Sequence, residues 1–422
     1  MVSVYQQIVK DIIKGIEQHQ FKRGEKLPSI RKLSQDYGCS KDTVQKAMLE
    51  LKYQNRIYAV EKSGYYILDD QDFHDKTVEL NPEDFQHLPY EDFRICLHES
   101  LIGREKYLFN YYHQQEGLEE LIDSLQRLLM DYHVYCKKEQ LVITAGSQQA
   151  LYILSQLDFG PDKTDILIET PTYHRMAQLL HQQGLPYQEI ERTLEGIDLI
   201  ELETIFKTGR IRFFYTIPRM HNPLGSSYDL ASKKKIVQLA QRYQVYIVED
   251  DYMADFDVQK ALPLHYLDTN ERVIYIKSFT PTLFPALRIG GISLPTPLIT
   301  AFLQYKGLID YDTNLLMQKA LSLYIDNGMF HRNTQDLLAR HEAEKEKLQQ
   351  ILIANPLPYL YQIQGNQLVF QMEKSEINPA LKHNSVGFEM IDGGTKTYLL
   401  TTTSVDLPKR LQDLSKLISC TD

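Results

Sequence analysis

The stretch 27–68, LPSIRKLSQDYGCSKDTVQKAMLELKYQNRIYAVEKSGYYIL, decides the fold of the N-terminal part of the chain. Ser29, directly after Pro28, is a good helix N-cap, and Ile30, Leu33 and Tyr37 then recur at helical spacing. Gly38 can take the left-handed conformation that stops a helix. Only Gly38, Cys39 and Ser40 separate this helix from the next, which Ser40 caps. Val44, Ala47, Met48 and Leu51 then form one apolar stripe. A second helix after so tight a turn is a helix-turn-helix. RIYAV and YYIL flank EKSG, a hairpin turn ending in Gly64, which adds a β wing with Lys62 at its tip.

The face opposite the apolar stripe carries chemistry. Lys41, Thr43, Gln45 and Lys46 sit in the first turns of the second helix, where side chains reach base edges and phosphates in a major groove. Lys41 and Lys46 offer cations to phosphates, Gln45 can read an adenine edge, and Arg31 projects from the preceding helix. Residues 1–68 hold 12 basic and 7 acidic side chains, whereas the remainder holds 34 basic and 49 acidic. A basic head on an acidic body suits a head that meets double-stranded DNA.

With 422 residues, 43% hydrophobic and 24% charged, the chain has globular composition and a length that predicts two or three domains. No run approaches the apolar length of a membrane span, and MVSVYQQIVKDIIK does not read as a secretory signal. Cys39, Cys96, Cys136 and Cys420 are far apart and predict neither a disulfide framework nor a metal site. A reducing, cytoplasmic setting is the expectation.

Residues 1–68 read as the winged helix-turn-helix, and 69–76 (DDQDFHDK) as an acidic linker. From 77 to 422, buried-strand candidates (LVIT at 141–144, DILIE at 165–169, RFFYTI at 212–217, VYIVE at 245–249, VIYI at 273–276) alternate with helical patterns such as 229–243. That alternation predicts an α/β domain with a mostly parallel sheet. Residues 313–350 read as one long helix, opening a small C-terminal α+β subdomain over about 313–422.

Several motifs in the body bear on ligands. In LVITAGSQQAL a strand enters a helix through Gly146, so backbone N–H groups there suit an anion, with Ser147 and Gln148 as added donors. ETPTYHR offers Tyr173 to stack on a flat ring and Arg175 to take a carboxylate. PRMHNPLG sets Asn222 in a turn after a strand. VYIVEDDY puts Glu249, Asp250 and Asp251 at a strand's C-terminal end, where α/β proteins bind ligands. YIKSFTPTLFPALRIG supplies Ser278 and Arg288, both suited to a phosphate.

The segment LPSIRKLSQDYGCSKDTVQKAM closely resembles the GntR-family winged helix, in which the positions of Arg31, Lys41 and Gln45 contact DNA. In order and spacing the body motifs resemble fold-type-I aminotransferases that use pyridoxal phosphate (PLP). The whole chain resembles the MocR/GabR-type regulators, which join the two, and FNYYHQQEGLEEL at 109–121 is similar to their tyrosine–glycine segment near the cofactor. The resemblance implies a ring stacked on Tyr173, Asn222 and Tyr252 on its phenolic oxygen, and Asp250 on its nitrogen. Ser147, Gln148, Ser278 and Arg288 would surround the phosphate, and Arg175 matches an effector-carboxylate position.

One departure outweighs the matches. The family pattern carries a lysine seven residues before the phosphate arginine, and here that position is Pro281. Proline has no primary amine, so no internal aldimine is expected and any PLP would be bound noncovalently. Lys277 is the nearest substitute amine, and the residue roles above include no catalytic group. A second departure puts Leu399 where an arginine would fall in related amino-acid-binding strands. The expectation is a homodimeric transcription regulator on paired DNA half-sites, whose body senses a small PLP-type or carboxylate effector. The alternative is an active PLP-dependent aminotransferase using another lysine.

Overall fold

Ser29 Oγ accepts the backbone N–H of Lys32 at 3.3 Å and opens a short helix, and Gly38, at φ 59°, turns the chain after it. Ser40 Oγ then accepts the N–H of Thr43 at 3.2 Å and opens the next helix. These two caps set the helix-turn-helix of the N-terminal unit, α2 (Ile30–Asp36) and α3 (Lys41–Tyr53), preceded by α1 (Val4–Glu17). Ile8, Ile12, Leu33, Val44, Met48 and Leu51 meet in one buried core beneath them. The wing is β1 (Ile57–Val60) paired antiparallel with β2 (Gly64–Ile67). Bonds from Leu27 N–H to Tyr65 C=O and from Ile67 N–H to Glu25 C=O tie it to the strand-like entry of α2.

This computed structural model describes residues 4–18, 20–21, 25–53, 56–60, 64–67, 87–102, 108, 115–376 and 387–419. The chain divides into two units, Met1–Phe85 and Gln86–Asp422, and the expected linker at 69–76 lies outside the described residues.

The second unit is an α/β body. After α4 (His87–Leu101) and α5 (Glu119–Met130) come β3 (Leu141–Thr144), α6 (Ser147–Gln156), β4 (Asp165–Thr170), α7 (His174–Gln182), β5 (Tyr187–Glu191), α8 (Leu199–Lys207) and β6 (Ile211–Thr216). Then follow α9 (Leu230–Tyr243), β7 (Tyr246–Asp250), β8 (Val273–Ser278) and β9 (Gly290–Ser293). The sheet order is β3-β9-β8-β7-β6-β4-β5, and only β9 runs against its neighbours. All five expected body strands are present. β5 and β9 were not expected: β5 is half solvated, and β9 is only GGIS.

Both faces of this sheet are buried, so alternate residues feed two different cores. Val142, Ile168, Tyr215, Val248, Ile274 and Ile276 pack on one face. Leu167, Phe214, Ile247, Val273 and, further along, Tyr275 pack on the other.

After α10 (Ile299–Ile309), the helix expected over 313–350 is two helices, α11 (Leu315–Asp326) and α12 (Met329–Ala354). Gly328, at φ 72°, breaks it. Ala320, Leu321 and Tyr324 of α11 belong to the core beneath β3 and α5. The small C-terminal core instead gathers Leu348 and Leu352 of α12, the antiparallel sheet β10 (Leu360–Gln364), β11 (Gln367–Glu373), β12 (Glu389–Gly393) and β13 (Lys396–Thr402), and α13 (Leu407–Ser419).

A buried ionic cluster fixes the turn after β6. Glu169 accepts from Thr216 Oγ1 (2.9 Å), Ile217 N–H (3.2 Å) and the Tyr228 hydroxyl. Arg192 approaches it at 3.4 Å while lying 3.6 Å over the Tyr228 ring, and His221 Nε2 lies 3.2 Å from its other oxygen. Burial alone would raise the Glu169 carboxyl, but the charges of His221 and Arg192 outweigh it and hold it at about 2. Burial pushes the His221 imidazole down, so Arg192 is the cation that persists at neutral pH. Arg192→Met leaves a buried carboxylate without that cation. It is expected to lower unfolding free energy by about 3–5 kcal/mol, measured by urea unfolding, and a loss below ~1 kcal/mol would show that Arg192 does not hold the charge.

Candidate functional site

On the N-terminal unit, Arg31, Lys41, Gln45 and Lys46 are all solvent-exposed, which a DNA-contact surface requires. Their roles divide by surroundings. Lys46 Nζ lies 4.5 Å over the Tyr5 ring, so part of its charge is engaged within the unit. Thr43 is half-buried, with its hydroxyl 2.9 Å from Ser40 Oγ, so it serves the helix start first. Lys62 lies outside the described residues.

In the body, one cavity of about 360 Å³ gathers the residues that the sequence singled out. It opens at the C-terminal ends of β6, β7 and β8 and at the start of α6. Ser147, Gln148, Tyr173, Asn222, Asp250, Tyr252, Ser278 and Arg288 line it, as does Arg175. That is the size range of small-molecule sites.

Its anion end is built by close backbone approach. Gly146 caps α6 at φ 83°, and a Cβ there would lie 2.9 Å from an Arg288 guanidinium nitrogen. Arg288 donates to Ala145 C=O at 3.1 Å, which fixes the guanidinium beside the helix start. A Cβ on Gly290 would meet the Gly146 backbone at 3.0 Å, so only glycine lets β9 pass here. The exposed α6 N–H groups, Arg288 and the hydroxyls of Ser147 and Ser278 thus form an electropositive end.

Its other end is a carboxyl. Asp250 is buried, and its Oδ2 accepts from Tyr215 OH at 2.9 Å. Its Oδ1 is buried with no hydrogen-bond partner among the described residues. Burial raises this carboxyl to about 7, with the Asp251 charge adding to the rise and the Tyr215 bond opposing it. A buried oxygen without a donor is costly unless a ligand supplies one. Asn222 and Tyr252 stand on the turn fixed by the Glu169 cluster and on the loop after β7, with Tyr252 OH donating to Met220 C=O at 3.2 Å.

Residues 98–376 match the class I and II aminotransferases, and residues 4–67 match the gntR family of bacterial regulatory proteins. An uncharacterized HTH-type transcriptional regulator of Bacillus subtilis, YcxD, is 38% identical over 356 residues, covering 82% of this chain and 80% of its own. This chain belongs to the GntR-headed, aminotransferase-like transcription regulators. A second such relative, the uncharacterized HTH-type transcriptional regulator YjiR of Escherichia coli, is 25% identical over 78% of this chain and 77% of its own. Among solved structures, the multiple substrate aminotransferase of Thermococcus profundus shares the body's fold. It has a TM-score of 0.68 at 23% identity, covering 80% of this chain and 89% of its own. The regulator therefore binds DNA through its GntR head and carries an aminotransferase fold, the MocR-type arrangement. No helix among the described residues is long and apolar enough to cross a membrane.

The regulator's Pro281 lines the cavity, and none of the described residues lining it is a lysine. Lys277, the nearest lysine in sequence, is fully buried, with Nζ 2.6 Å from Asp255 and 2.9 Å from Ser278 C=O. Adjacent strand residues point to opposite faces, so Ser278 faces the cavity and Lys277 faces away from it. Asp255 also accepts from the Tyr132 and Thr282 hydroxyls. The same alternation separates the acidic run: Glu249 accepts the N–H groups of Leu264 and His265, and Asp251 pairs with Arg219 at 2.6 Å, leaving Asp250 alone at the cavity. Leu399 packs into the small C-terminal core, not toward the ligand cavity. Sequence reading assigned no role to Ile217, Thr280 or Pro285, which also line the cavity. Ile217 was legible, since it continues the alternation of Phe213 and Tyr215. The segment at 109–114 lies outside the described residues.

The raised Asp250 carboxyl has a pH consequence. Between its unfolded value of ~4 and about 7, the native state binds more protons than the unfolded one, so this group's contribution to stability falls as pH rises. Asp250→Asn removes that contribution. Its melting temperature is expected to gain on wild type from pH 5 to pH 8, and a constant difference would show that Asp250 does not titrate in that window.

Proposed function

We propose that this regulator works as a cytoplasmic homodimer on paired DNA half-sites, and that its body senses a PLP-type ligand held without a covalent bond. The observation that carries the reading is Asp250 Oδ1, a buried acceptor without a donor, across one cavity from an Arg288-flanked helix start. A protonated ring nitrogen answers the first and a phosphate the second. The residues present therefore fit the group: Asp250 for the nitrogen, Tyr173 for the ring face, Asn222 and Tyr252 for the phenolic oxygen. Ser147, Gln148, Ser278 and Arg288 would take the phosphate. When bound, such a ligand supplies an electron-withdrawing ring.

The chain's own residues bind and orient it but do not carry an amine to its reactive carbon. Pro281 occupies the cavity wall where the family pattern expects a lysine, and Lys277 is spent on Asp255 across the sheet. This supports a non-enzymatic reading, in which the ligand enters and leaves by equilibrium. Exposed Arg175, which makes no hydrogen bond or ion pair among the described residues, suits a carboxylate on the same ligand or beside it. Ligand that binds one state of the dimer better shifts the population that fits the operator.

Titration with PLP, followed by borohydride reduction and mass spectrometry, tests the reading. Saturable absorbance change with no reduced lysine adduct is expected, and Arg288→Ala should weaken binding roughly 10–100-fold, the range for a lost charge-assisted contact. An adduct on Lys277 or any other lysine would restore the enzyme reading. On the DNA side, Lys41→Ala is expected to reduce the slope of log affinity against log salt by ~1 on every sequence, whereas Gln45→Ala should change base preference. Equal effects of both on specific and random DNA would remove Gln45 from base reading.

A further inference from the structure

We infer that the body carries a second small-molecule site, on the sheet face opposite the first cavity, and that it takes a free amino acid through both of its charged ends. The feature is a cavity of about 540 Å³, larger than the first. Leu128, Ile325, Phe330 and Leu338 give it apolar walls. Asp255 lies in its lining and pairs with Lys277, the neighbour of Ser278 whose side chain goes to the opposite face from the first cavity.

Charge decides the class of occupant. Most lining charges are already matched: buried Arg219 pairs with Asp251 at 2.6 Å and with Asp257 at 2.9 Å, and exposed Arg127 pairs with Asp326 at 2.7 Å. Asp255 has three donors, from Tyr132, Lys277 and Thr282. His331 shares its Nε2 with the Gln335 amide at 3.0 Å, and two lining residues of opposite charge are left over. Asp131 and Lys260 are both exposed, and neither side chain makes a hydrogen bond or ion pair among the described residues. A phosphate or a polyamine would meet a like charge at one of these two, and an uncharged apolar molecule would leave both unmatched. A zwitterion with an apolar or aromatic side chain matches both charges and the apolar wall: ammonium to Asp131, carboxylate to Lys260, side chain against Leu128, Phe330 and Leu338. The volume accepts an amino acid of any side-chain size.

This site is independent of the reading of the first cavity, and so is its test. The full-length protein is dialysed against an equimolar mixture of the common amino acids, and retained species are identified by mass spectrometry. The retained amino acid is then titrated calorimetrically against wild type, Asp131→Asn, Lys260→Ala, Gln335→Trp and the first-cavity variant Arg288→Ala, with its N-acetyl and carboxamide derivatives as further probes. The expected result is one amino acid bound per chain. Asp131→Asn and Lys260→Ala should each weaken it at least tenfold, and each derivative should bind wild type at least tenfold more weakly. Gln335→Trp, which places an indole at the mouth without removing a charge, should block binding while circular dichroism stays native. No retention by wild type would overturn the inference. So would unchanged affinity in both charge variants and in Gln335→Trp, or loss of binding in Arg288→Ala with retention in Asp131→Asn, which would place the amino acid in the first cavity.

Discussion

A parallel strand buried on both faces delivers consecutive side chains to opposite sides, and in this body that alternation sorts chemistry into two compartments. At the end of β7, Asp250 goes to one face while Glu249 and Asp251 go to the other. At the end of β8, Ser278 and Lys277 part in the same way. A one-residue slip would exchange every assignment. The hydrophobic register forbids the slip, because Val248, Ile274 and Ile276 belong to one core and Ile247, Val273 and Tyr275 to others. The identity of the cavity-facing carboxyl is thus fixed by apolar packing along the strands.

Buried charge does the fine positioning. The turn that carries Ile217 and Asn222 leaves β6 under the control of Glu169, whose oxygens take hydrogen bonds from Thr216, Ile217 and Tyr228 and face Arg192 and His221. Arg219, on the same turn, spans Asp251 and Asp257 and so ties it to the loop after β7. Such pairs contribute little net stability, because desolvation offsets much of their attraction. Their effect is on geometry: a turn with two buried ionic anchors has few alternative arrangements, and a ligand contact borne on it needs no ordering on binding.

Local signals were legible in the sequence wherever a single segment determines its own structure. Ser29, Gly38 and Ser40 bound the recognition helices as their chemistry dictates, and the five apolar body strands stand where their runs predict. The cavity residues were legible because each sits on a strand end or helix start with a distinctive residue type. What failed were judgements that need a partner far along the chain. Lys277 looks like a surface lysine until Asp255, 22 residues earlier, and Tyr132, earlier still and on another element, are placed around it. Half-solvated β5 lacks an apolar run, and glycine-rich β9 has no side chains to show one. The break at Gly328 hides inside an otherwise continuous helical pattern, because a lone glycine is also tolerated in helices.

The same geometry explains how an aminotransferase body can serve regulation. A lysine at the cavity would hold an aldehyde ligand covalently, and occupancy would then report slow chemistry. On the proposed reading, with Pro281 in the wall and Lys277 paired to Asp255 on the far face, the chain would offer a ligand only reversible contacts. Occupancy would then follow free ligand concentration, which is the property a sensor needs. The contacts that remain are those of recognition: a donor-hungry carboxyl at one end, a helix start with Arg288 at the other, and Tyr173 between. On the proposed reading, Asp250 would also make recognition selective. A ligand that brings a proton to Oδ1 would relieve a buried acceptor, and one that brings a second negative charge would leave it unmatched, so the cavity would select by charge.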